Sequence, residues 1–163
     1  MKNKILLTTV MLFSLLTWAG DTPWPWGTEC PLSWGTIEGA WSIRTQEGQS
    51  LESSIEIEVV SVLDDGTRVL NVTEYDQNGR LRFAGRGLVA PGERVVQAGM
   101  HSVDGKGVGF WAIIRTYEEG RGPETNNTLS CERSRTITAV TFRPMTGCKC
   151  SAEDRHYILE KIQ

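Results

Sequence analysis

Turn signals recur along this chain at short, nearly even intervals, and they leave no window long enough for an amphipathic helix. Asp64-Asp65-Gly66, Asp76-Gln77-Asn78-Gly79, Pro91-Gly92 and Asp104-Gly105-Lys106-Gly107 are followed by a further break at residues 119–123. Asp-Gly and Asn-Gly pairs supply the positive φ values that tight hairpins require. Between these breaks apolar residues alternate with polar ones, which predicts strands over 37–44, 55–63, 68–75, 80–88, 94–102, 108–117, 135–143 and 156–162. Strands at such spacing with short connections form an antiparallel meander. Eight of them can close into an up-and-down barrel and so remove both exposed edges. The expected fold is therefore all-β: an eight-stranded antiparallel up-and-down barrel with an extended N-terminal arm. An open β-sandwich is the runner-up. At this strand number the interior is either filled by side chains or holds one small ligand.

The chain begins as an exported protein begins. Lys2 and Lys4 precede an apolar run over 5–16, and Thr17 and Ala19 place small residues before Gly20. Residues 1–19 thus read as a signal peptide. The run is too short to cross a bilayer comfortably, so no membrane insertion of the mature chain is expected. A secreted or periplasmic location follows. The domain layout is 1–19 signal peptide, 20–36 arm and 37–163 barrel. Of 17 basic side chains, Lys2 and Lys4 leave with the signal, against 20 acidic ones, giving a net charge of −5. That balance argues against nucleic acid as a partner.

The arm holds Trp24, Trp26 and Trp34 interleaved with Pro23, Pro25 and Pro31. Proline preorganises an extended segment and lowers the ordering cost of binding. Tryptophan offers large amphipathic contact area. These three tryptophans are the candidate partner-binding residues; the alternative is that the arm folds back over the end of the barrel.

Gly39-Ala40-Trp41 at the start of the first barrel strand, followed by a meander, resembles the calycins: lipocalins, avidins and bacterial metalloprotease-inhibitor barrels. In lipocalins such a tryptophan closes one end of the barrel beneath an arginine from a late strand. The resemblance implies that role for Trp41, with Arg143 or Arg135 as the partner. The second lipocalin signature, Thr-Asp-Tyr, is matched by Thr116-Tyr117 without its aspartate. Some of the inhibitor barrels insert an N-terminal arm into an enzyme's cleft, which implies that place for residues 24–34.

Cys30, Cys131, Cys148 and Cys150 all lie in the exported part, where disulfides persist. In an up-and-down barrel Cys30, before the first strand, and Cys131, before the seventh, share a rim. Cys148 and Cys150 follow the seventh strand and fall at the other rim, about 25–30 Å away. A disulfide needs Cα atoms within about 7 Å, so the expected pair is Cys30–Cys131, worth about 4–5 kcal/mol in the chain-entropy model. Cys148-Lys149-Cys150 remains as a structural disulfide, a redox pair, or a soft-metal site with His156 as a further ligand.

Signatures of catalysis are missing. There are two histidines, His101 and His156, and no Gly-x-Ser-x-Gly, His-Glu-x-x-His or phosphate-loop motif. Glu56 with Glu58, and Arg80 with Arg82 and Arg86, read as charged outer strand faces. No enzyme activity, metal or cofactor is expected. The leading expectation is an exported small β-barrel that binds an apolar or amphipathic small ligand, with Trp41, Phe83, Phe110 and Trp111 as ligand-binding residues and Gly85, Gly87 and Gly109 shaping the cavity. The alternatives are a protein-interaction or enzyme-inhibitor module acting through the arm, and a thiol redox or metal protein acting through Cys148 and Cys150.

Overall fold

The alternating segments become the staves of a closed barrel. A computed structural model describes residues 29–118, 136–145 and 153–162. In chain order the elements are β1 (Glu29–Cys30), a single helical turn α1 (Trp34–Ile37), β2 (Gly39–Arg44), β3 (Ser50–Val62), β4 (Arg68–Tyr75) and β5 (Leu81–Val89). β6 (Val95–Ser102), β7 (Gly109–Glu118), β8 (Thr136–Pro144) and β9 (Arg155–Lys161) follow. Sheet neighbours run β7-β6-β5-β4-β3-β2-β9-β8, and β7 pairs with β8 to close the ring. Every pairing is antiparallel. The fold is the expected eight-stranded up-and-down barrel rather than a sandwich. Among the described residues no helix is long and apolar enough to cross a membrane.

The hairpin aspartates act as local templates. Asp76 Oδ1 accepts the Asn78 and Arg80 backbone N–H groups at 2.8 and 3.0 Å. Gly79 then takes φ +72°, which returns the chain into β5. Asp65 and Asp104 repeat the device on the N–H groups of Thr67 and Lys106.

Two strand starts differ from the expectation by two residues or more, and the other bounds by at most one. The first barrel strand starts at Gly39, not at residue 37, because the Ile37 and Glu38 N–H groups donate to the Ser33 and Trp34 carbonyls and wind one helical turn. β3 begins at Ser50 rather than residue 55 and is 13 residues long. Its first stretch crosses a register shift opposite Ser42 and Arg44, where Glu52 adopts φ +54°. Such a bulge bends a strand and redirects its side chains.

The arm is not wholly extended either. Cys30 and Glu29 pair with Thr116 and Tyr117 of β7. β6 reaches β7 only as far as Arg115, opposite Val95, so β1 occupies the stretch of β7 edge that β6 leaves open. Trp34 packs half-buried against the core, with the Arg68 guanidinium 4.7 Å from its ring centre. This is the folded-back arrangement for that residue. Trp24, Trp26, Arg135, Cys131, Cys148, Cys150 and the 1–19 segment lie outside the described residues. Cys30 sits, buried, at the end of the barrel where β7 finishes and β8 begins, which is the rim on which the expected Cys30–Cys131 pair depends.

One half of the barrel is solid. Ile55, Ile57, Leu70, Val72, Val96 and Ile114, with Met100 and Val140, project inward and are fully buried. Each such aliphatic side chain contributes about 1.5–3 kcal/mol of burial. α1 and Trp41 close this end. The Trp41 indole N–H donates to the Ile37 carbonyl at 2.8 Å, and Lys161 Nζ lies 5.4 Å from its ring centre while donating to the Gly35 carbonyl. Gly39 makes this possible with φ +127°, and a Cβ there would stand 3.3 Å from the Lys161 side chain. The cation over Trp41 is thus a lysine from the last strand. Arg143, expected in that role, is at the opposite end of the barrel, paired with Asp154 at 2.8 Å, because β8 runs from the closed end toward the open one.

Candidate functional site

The open end of the barrel holds a pocket of about 430 Å³, within the 300–1,000 Å³ range typical of small-ligand sites. Its wall is an arc of four rings contributed by β5, β7, β8 and β9. Phe83 and Phe110 have centroids 4.8 Å apart, Phe110 and Phe142 4.9 Å, and Phe142 and Tyr157 5.6 Å. All three contacts are tilted or edge-on, the arrangement that the ring quadrupoles favour. Ile43 completes the apolar lining, and the bulged start of β3 brings Leu51, Glu52 and Ser53 to the rim.

One carboxyl interrupts this apolar wall. β4 alternates Leu70, Val72 and Glu74 inward, so Glu74 occupies a core-facing position at the level of the rings. It pairs with Ile55 on β3 and Phe83 on β5. The residue is 8% exposed, and burial raises its pKa above the ordinary 4.5 despite the opposing influence of Arg82 and Arg155. Both arginines line the mouth, and the Arg82 guanidinium lies 5.6 Å from the Phe83 ring centre. Asp76 is also at the rim, where the backbone N–H of Arg80 holds its carboxyl below the usual range. The arrangement offers an apolar, aromatic berth with charged groups of both signs at one end. It contains no nucleophile–base pair, and no metal-binding group of three or more side chains is present among the described residues.

Of the expected ligand-binding residues, Phe83 and Phe110 line this pocket. Trp111 does not: neighbouring residues on a strand point to opposite faces, so with Phe110 inside, Trp111 lies on the outer surface, 43% exposed, over Gly99. Trp41 seals the far end and is absent from the pocket. Gly85 and Gly87 also differ from the expectation. A Cβ at either would meet the β6 backbone, 2.1 Å from the Gly99 carbonyl oxygen and 2.5 Å from that of Gln97; they let β5 sit tightly on β6 rather than hollow out a cavity. Gly109 stands beside Met145 and His101, with no room to spare.

Phe142 appears in the sequence as one more alternating aromatic. Tyr157, Glu74, Arg82 and Arg155 are not evident as site residues. The one available signal is Glu74, an acid at an inward position of an otherwise apolar alternation. On the outer face, Glu58, Asn71 and Arg86 stand in one row across β3, β4 and β5, so Asn71 separates the acidic row from the basic one. His156 Nδ1 is 3.0 Å from the Thr141 hydroxyl. No protein-family model matches this chain, and no curated protein or solved structure matches it significantly.

Proposed function

We propose that the protein is an exported small-ligand carrier or sensor of calycin-like type that holds an apolar or amphipathic molecule in the mouth of its barrel. The observation that carries this reading is the four-ring arc around a 430 Å³ pocket. Rings lining an open barrel end, beside polar groups that can orient a molecule, form the kind of concave surface that small ligands use. The volume suits a small ligand, with one end against the rings and the other near the charged rim. The glycine–tryptophan start of β2 and the cation over Trp41 support the calycin-like assignment. The proposed location outside the cytoplasm rests on the reading of residues 1–19 as a signal peptide.

Native mass spectrometry of the protein recovered from its own exported compartment tests this. A retained mass of a few hundred daltons that is lost on denaturation is expected. The Phe110→Trp variant, which narrows the pocket, should lose it. A wild-type protein that carries no ligand and takes up no small aromatic compound would contradict the reading. The docking of Trp34 onto the core gives no support to the inhibitor-arm alternative.

A further inference from the structure

We infer that the mouth pocket takes a small organic cation, an ammonium group carried on an apolar body, with the Glu74 carboxylate as its counter-ion. This rests on the pocket being the ligand site.

Glu74 as a residue is 8% exposed, it lines the pocket, and its carboxyl has no hydrogen bond or ion pair among the described residues while still reaching the pocket's open space. A buried polar group without a partner is costly, and an ionised one more so. Arg82 and Arg155 act on it only at longer range, and burial outweighs them. An ammonium group entering the pocket supplies both the missing donors and the missing charge. The surrounding rings act in the same direction, because their faces carry negative potential and attract cations. An anionic head would be pulled toward the two guanidinium groups, but it would sit beside an acidic group and against ring faces. Among the charged groups at the mouth, Glu52, Glu74 and Asp76 stand against Arg82 and Arg155, so the acids outnumber the bases by one.

The test compares three probes with one aromatic body and different heads: phenethylamine, 2-phenylethanol and phenylacetate, titrated calorimetrically into the full chain at pH 7.5. The amine should bind at least tenfold more tightly than the alcohol, with phenylacetate weakest. Glu74→Gln should abolish the amine preference, so that amine and alcohol bind with similar affinity. In the wild-type protein the preference should also fade as pH drops and Glu74 takes up its proton, which serves if the variant does not fold. Equal binding of amine and alcohol, tightest binding of phenylacetate, or a pH-independent preference would overturn the inference while leaving the pocket as a ligand site. Binding by none of the three would overturn both.

Discussion

Glu74 and Phe83 face each other directly across the β4–β5 ladder. One presents a carboxyl and the other an aromatic ring to the same pocket. The pairing marks the level at which the barrel changes character. One step toward the closed end, Val72 and Gly85 form the next inward pair, and from there on the interior is filled. The pocket therefore has an aromatic wall, a packed floor and one acidic group at the boundary.

That acidic group gives the stability of the protein an unusual pH dependence. A raised folded-state pKa means that the native state binds the Glu74 proton more tightly than the unfolded state. Stability from this group is then greatest below its unfolded value of about 4.5 and falls as pH rises through the raised folded value. The turn aspartates Asp65, Asp76 and Asp104 have lowered pKa values, from hydrogen bonds to Thr67, Arg80 and Lys106 respectively. Their contribution has the opposite sign: it is present above pH 3.8 and lost on further acidification. Urea unfolding of wild type and Glu74→Gln between pH 3 and 8 should show the variant more stable at neutral pH, the difference shrinking toward pH 4.5.

Gly85→Ala should be among the most disruptive single-methyl additions in the barrel. The new Cβ would lie 2.1 Å from the Gly99 carbonyl oxygen, an obstacle made of backbone that cannot rotate away. Overpacking of this kind costs about 1–3 kcal/mol or more. Gly35→Ala is the control, because nothing lies within 4 Å of that position and alanine favours the helical turn. Thermal melts should show a large loss for the first and none for the second.

The closed end should be separable from the site. Trp41→Ala removes a buried indole, 4% exposed, and should cost about 3–5 kcal/mol. Lys161→Met keeps the aliphatic stem and removes the cation above Trp41, at a cost of about 0.5–1 kcal/mol. Chemical denaturation reads both effects, and ligand affinity of the folded Lys161→Met protein should match wild type.

Much of the architecture is legible in the chain itself because the hairpin turns are written in Asp, Asn and Gly, and because alternation fixes the inward face of each strand. Alternation also shows where an unaided reading fails: Phe110 and Trp111 are consecutive, so one of them has to point outward. The helical turn at Trp34–Ile37 is hidden by a proline- and glycine-rich neighbourhood and is held by tertiary contact with the barrel end. The site is less legible than the fold. Tyr157 and Arg155 come from β9, Arg82 from the irregular start of β5, and Glu52 from a bulge in β3, and only closure of the barrel assembles them around one mouth.

Isotope-labelled protein titrated with 2-phenylethanol and followed by two-dimensional amide NMR tests the central claim most directly. Saturable shifts concentrated at Glu74, Phe83, Phe110, Phe142 and Tyr157, with Trp41 and Trp111 unmoved, are the predicted result. Shifts centred on Trp111 or on the closed end around Trp41, or none that saturate, would contradict the assignment of the barrel mouth as the ligand site.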